Sequence, residues 1–174
     1  MRRHTFIAAL LACAMTGGCA DYQFTVNEKV LYRPAPLFVD YQIADAALLQ
    51  CINQHIEDAR ITSAEQLTAL NCSHAGIEKL DGIETFTGLT HLKLTGNAIT
   101  DSTALAALPA LRELALDANR ITTAEPLLPL QTLASLDLRD NEGMDCGAAA
   151  ILAARPTLEL RLPAQCLGNG RVEG

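Results

Sequence analysis

The sequence has no tryptophan and only 4% aromatic residues, too few to line a ligand pocket with rings or to fill a sandwich core with them. Cations are scarce too: 13 Lys and Arg stand against 20 Asp and Glu, for a formal charge of -7. Nucleic acid and a bare anionic membrane surface are poor partners for such a chain. The apolar run at the N-terminus, Phe6 to Met15, is about ten residues long where a bilayer core needs roughly 20. There is no glycine loop to cradle phosphate, no dinucleotide fingerprint and no clear metal-ligand cluster. No Ser or Cys nucleophile is set on a strained turn. The expectation from these absences is a protein that is not an enzyme and that holds no cofactor and no metal.

What the chain has is repetition. LTHLKLTGNAITDSTALAALPA, residues 89–110, and LRELALDANRITTAEPLLPLQT, residues 111–132, are consecutive 22-residue units. Leu89, Leu92, Leu94, Asn97, Ile99, Leu105 and Leu108 fall on Leu111, Leu114, Leu116, Asn119, Ile121, Leu127 and Leu130. A fixed period of this length marks a stacked solenoid in which each unit buries its neighbours' apolar edges. An earlier unit, Leu67 to Gly88, puts Cys72 in a leucine position and Ala75 in the Asn position. A later one begins with Leu133, Leu136, Leu138 and Asn141, has Gly143 where Ile is expected, and is two residues longer. A degenerate fifth starts near Thr157 and keeps the core spacing with Leu160, Leu162 and Leu167.

Within L-x-x-L-x-L the last two leucines alternate with polar residues at period 2, so they point inward from a short strand. Stacking sets the strands side by side as a narrow parallel sheet at about 4.8 Å spacing. Asn97, Asn119 and Asn141 form a ladder that satisfies backbone groups at the turns. The residues between the leucines face outward: His91, Lys93 and Thr95; Arg112, Glu113, Ala115 and Asp117; Ser135, Asp137 and Arg139; Glu159 and Arg161. Their mixed signs favour selective pairing with a protein over bulk attraction to a polyanion. His91 and Glu113 are neighbours across strands, which reads as a solvated face rather than a catalytic pair. Five short strands span only roughly 20 Å and fall short of the roughly 20–30 residues per side of a standard interface.

Ahead of the repeats, residues 43–66 carry helical spacing. Leu48, Leu49, Ile52 and Ile56 follow Asp45, which can cap the helix start, and Thr62-Ser63-Ala64-Glu65-Gln66 suggests a second helix entry. Such a cap covers the apolar edge that a first repeat otherwise exposes. Residues 19–42 read as a linker with a hairpin, since Tyr22, Phe24 and Val26 alternate before Asn27-Glu28-Lys29 and Val30-Leu31-Tyr32. Residues 168–174, GNGRVEG, read as a disordered tail.

Residues 1–18 read as an export signal: Arg2 and Arg3, then the apolar run, then Thr16-Gly17-Gly18-Cys19. This segment resembles a bacterial lipoprotein leader, with Thr16 where Leu is usual. The resemblance implies that Cys19 is acylated and becomes the mature N-terminus, anchoring the chain to a membrane. Ala20 next to it resembles leaders sorted to the outer membrane. The alternative is an ordinary secretory leader cut after Ala20. Either way the mature chain leaves the cytoplasm, and losing Arg2 and Arg3 leaves 11 basic against 20 acidic residues.

Four of the six cysteines lie beyond the leader, where disulfides persist. Four allow three connectivities. Pairing near neighbours in the stack gives Cys51–Cys72 and Cys146–Cys166, one at each end where fraying begins, each worth about 2–4 kcal/mol. The alternative for the first pair is a zinc site formed with His55 and His74.

A helical cap followed by LTHLKLTGNAIT and LRELALDANRIT units resembles the internalin-like branch of bacterial leucine-rich repeat proteins, from about Asp45 to Leu167. The resemblance implies a short α/β leucine-rich repeat solenoid of four to five repeats whose strand face is the usual contact surface. The expected role is therefore a monomeric cell-envelope lipoprotein that binds another protein. The alternative is a structural or accessory subunit working through its convex side or N-terminal arm.

Overall fold

The computed structural model describes residues 24–26, 29–32 and 36–167. The leader, Cys19 and the tail 168–174 lie outside the described residues. In the N-terminal unit, β1 (Phe24–Val26) and β2 (Lys29–Tyr32) pair antiparallel.

The second unit holds a helix, α1 (Ala46–Ala59), followed by β3 (Ala69–Asn71), β4 (His91–Lys93), β5 (Glu113–Ala115), β6 (Ser135–Asp137) and β7 (Glu159–Arg161). The five strands form one parallel sheet in chain order. Leu70, Leu92, Leu114, Leu136 and Leu160 stand in register across it, and all but Leu160 are buried. On the opposite side the repeats turn through 3-10 segments, Ile83–Thr85, Thr103–Ala107 and Glu125–Leu127, each burying one large residue: Ile83, Leu105 or Leu127. Between β6 and β7 a helix, α2 (Gly147–Ala153), replaces that turn and accommodates the two extra residues of the fourth unit. The core gap opposite Gly143 is filled by the next residue, Met144, which is buried.

The turns are held by the asparagine ladder. Asn119 and Asn141 are buried. Asn119 accepts from the Ile99 amide at 3.1 Å, and Asn141 from the Ile121 amide at 2.9 Å. The first unit has Ala75 at this position, so Asn97 alone collects three amides there, from Ala75, Gly76 and Ile77. Just ahead of the ladder position each turn needs a left-handed residue: His74, Gly96, Ala118 and Asp140 have φ of 57, 70, 53 and 55°. One of the four is glycine.

The N-terminal end is closed thoroughly. Asp45 caps α1, one carboxylate oxygen accepting from the amides of Ala47 and Leu48, and its second oxygen accepts from those of Glu78 and Lys79 in the first repeat. Burial pushes the Asp45 carboxyl up, but these four backbone bonds outweigh it and hold it below the usual carboxylate range. Leu37, Phe38, Tyr41 and Ile43 pack on the core, so the stretch read as linker already belongs to the cap from about residue 37. Phe38 and Tyr41 stack with each other and meet Phe86 edge-on. The second helix entry is a single 3-10 turn, Ala64–Gln66, and Ser63 makes no side-chain cap bond. Gln66 instead reaches back to the Thr62 amide and hydroxyl.

Two disulfides join Cys51 to Cys72 and Cys146 to Cys166, with Cα separations of 5.9 and 5.4 Å. The sulfurs that a zinc site would need are thus bonded to each other. The C-terminal end is thinner. Leu160 and Leu162 are only partly buried and Leu167 is 72% exposed. The core position expected of Leu167 is not realised, because among the described residues no further repeat covers it.

Candidate functional site

The outward residues form three rows. Because side chains alternate across a strand, each leucine that enters the core leaves its neighbours on the outer face. His91, Glu113, Ser135 and Glu159 align in the first row, and Lys93, Ala115, Asp137 and Arg161 in the second. Thr95, Asp117 and Arg139 follow just past the strands, and Arg112 stands immediately before β5. All are exposed or partly buried.

The charges at the C-terminal end neutralise one another. Arg139 donates to both carboxylate oxygens of Asp137, at 2.9 and 2.6 Å, and Arg161 stands 3.7 Å from Asp137 while donating to Glu159 at 2.8 Å. The Asp137 side chain is left 13% exposed. Its burial raises the carboxyl pKa, yet the bonds and charge of Arg139, with the charge of Arg161, bring it below its ordinary value. Asp137 therefore faces outward without being free to meet a partner. Thr95 donates to Asp117 at 2.7 Å.

The N-terminal half differs. His91 and Glu113 approach to 3.6 Å, but Lys93 and Arg112 are in no ion pair among the described residues. A shallow depression beside Lys93 is lined by His55, Ala69, Leu70, Asn71, His91 and Glu113. Ala69 and Asn71 were missed as face residues, although aligning Leu67–Gly88 with the next unit puts them level with His91 and Lys93. His55 reaches the depression from α1, which no repeat alignment could indicate.

The Thr90 hydroxyl lies 2.8 Å from His91 Nδ1, but it donates its proton to the Thr68 carbonyl at 2.9 Å. It is thus a cross-repeat strut rather than a nucleophile poised on an imidazole. Among the described residues no group of three or more His, Cys, Asp or Glu gathers to hold a metal, and no helix is long and apolar enough to cross a membrane.

No protein-family model matches the sequence, and no curated protein matches it. Solved structures do. An internalin (inlF) from Listeria monocytogenes is similar with a TM-score of 0.60 and 31% identity, over 69% of this chain and 36% of that one. An internalin C2 (inlC2) from the same species is similar with a TM-score of 0.57 and 25% identity, over 68% of this chain and 55% of that one. The chain thus spans between about a third and somewhat over half of those internalins. With its in-register leucines, asparagine ladder and five parallel strands, it is a short α/β leucine-rich repeat solenoid.

Proposed function

We propose that this chain is a lipoprotein of the bacterial cell envelope, anchored through an acylated Cys19 and carried to the outer membrane, that binds another protein through its strand face. The observation that carries the reading is the uneven charge of that face. The C-terminal strands close their charges into a network around Asp137, whereas Lys93 stands without an ion pair at a partly apolar depression, and Arg112, immediately before β5, is likewise in no ion pair among the described residues. Free cations next to apolar surface suit a partner that brings a carboxylate and an apolar side chain together, since complementary charge sets orientation and encounter rate. Similarity to internalins supports a protein-binding solenoid.

The test is a photo-crosslinking residue placed at Thr95 in intact cells, with the same residue at Ala107 on the 3-10 side as the comparison, and mass spectrometry of the adducts. One protein adduct specific to position 95 is expected. An adduct specific to position 107 would instead favour the accessory-subunit reading. Cys19→Ser should release the chain from the membrane fraction; retention there would reject the anchor.

A further inference from the structure

β7 is the last strand of the sheet, and among the described residues nothing pairs with its outer edge. Which backbone groups stand on that edge follows from the preceding strand. Ser135 donates to Arg112, and Asp137 accepts from Leu116, so the first and third residues of β6 serve β5. Ala134 accepts from Glu159, and Leu138 donates to Arg161, so the Ala134 carbonyl and the Leu138 amide, on either side of that pair, serve β7. Carried one strand further, Glu159 and Arg161 are spent on β6, and the Leu160 N–H and C=O point away from the sheet. Behind this edge Leu158, Leu160 and Leu162 are only partly buried, while Leu67 and Leu70 at the other end are covered.

The edge is also its own complement. Its sequence runs acid, leucine, base: Glu159, Leu160, Arg161. When two such strands run antiparallel about a two-fold axis at Leu160, the two Leu160 residues exchange both N–H to C=O bonds. Glu159 of each copy then stands opposite Arg161 of the other on the outward face, so the Arg161–Glu159 pair that each strand already makes within itself is joined by the same attraction across the axis. An isologous contact of this kind closes at two copies. A strand of the same sequence laid parallel and in register would set like charges side by side.

We infer that two copies of this chain join through the outer edges of β7, making one continuous sheet from the two five-stranded ones. The contact covers the leucines that the last repeat leaves only partly buried, satisfies the Leu160 amide and carbonyl, and doubles the outward face. It does not depend on what that face binds. Another candidate occupant, the stretch GNGRVEG, has a single large apolar side chain, Val172, with which to cover the leucines.

Sedimentation equilibrium of the full chain in density-matched detergent tests this, with Glu159→Arg and Arg161→Glu as variants. The first carries two cations on the edge and the second two anions. The wild type should dimerise, each variant alone should associate about tenfold more weakly or worse, and an equimolar mixture should recover the dimer. Circular dichroism melts check that both variants fold. Independently of any variant, hydrogen exchange at the wild-type Leu160 amide should slow as protein concentration rises. A wild type that stays monomeric into the millimolar range overturns the inference, as do variants that dimerise as well as the wild type or a folded mixture that does not pair. Leu160 protection that is independent of concentration and lost on deleting residues 168–174 assigns the edge to the tail and overturns it too.

Discussion

The Asn119 side-chain amide donates to the carbonyl of Leu94, one repeat earlier, at 2.9 Å, and to Leu116 of its own repeat at 3.0 Å. With its oxygen held by the Ile99 amide, this one buried residue ties two turns of the solenoid together. Asn119→Ala removes the side chain but leaves those backbone groups in place and unpaired, at about 1–3 kcal/mol for each one that water cannot reach. The expected loss in a denaturant titration is about 3 kcal/mol. Asn97→Ala should cost less, because Asn97 and the turn before it lie partly open to solvent. Equal stability of Asn119→Ala and the wild type would remove the ladder from the account of the fold.

Gly96 and Ala118 occupy equivalent left-handed positions, with φ of 70 and 53°, yet substitutions there should act in opposite directions. A β-carbon costs about 1–2 kcal/mol in this region. Ala118 bears that strain while exposed, so Ala118→Gly should gain up to about 1 kcal/mol after the entropy cost of glycine. Gly96 lies against the His74 ring, which an added β-carbon would overlap. Gly96→Ala should therefore destabilise by about 1 kcal/mol or more. Thermal melts of the two variants decide, and shifts of the same sign would contradict the shared-turn geometry.

Asp45 predicts a pH dependence. Its carboxyl pKa is lowered in the folded chain, so its contribution is present above the unfolded value of about 4 and is lost as pH falls through the folded value. Asp45→Asn keeps one accepting oxygen for the helix cap but turns an NH2 group toward the Glu78 and Lys79 amides. The variant should be about 2 kcal/mol less stable than the wild type at neutral pH, and the gap should narrow as both are acidified. A constant gap from neutral pH down to about pH 2 would show that the charge on Asp45 contributes nothing.

The ladders were legible because they depend on period alone: Leu92, Leu114 and Leu136 need only a 22-residue step to fall in register. The helix start was legible for a local reason, Asp45 standing just ahead of the apolar spacing. Its second role was not, because the Glu78 and Lys79 amides are 33 and 34 residues away and backbone amides carry no sequence signal. Leu167 kept the spacing but lost its burial, since a repeat pattern does not state whether a further unit covers it. Within the face, outward direction could be read from alternation. Freedom to bind could not, because Asp137 is sequestered by the conformations of Arg139 and Arg161, the latter from beyond the longer fourth unit.

That difference in freedom separates binding from stability on one surface. Lys93 and Arg112 stabilise nothing through ion pairs among the described residues, so Lys93→Glu and Arg112→Glu should leave stability within about 0.5 kcal/mol of the wild type, as ordinary exposed substitutions do. If the face captures a partner that brings a carboxylate, each reversal should weaken capture about tenfold, with the loss largest at low salt where screening is weakest. Asp137→Lys should behave differently. It removes the carboxylate that accepts from Arg139 and faces Arg161 at 3.7 Å and sets a third cation between them, so the melting temperature should fall even with no partner present. Capture should then fall only as far as the last two strands are disturbed. The measurements are melts of the three variants and pull-down of the crosslinked partner at two salt concentrations. A lowered melt for Lys93→Glu, or undiminished capture by both Lys93→Glu and Arg112→Glu, would move the contact away from this half of the sheet.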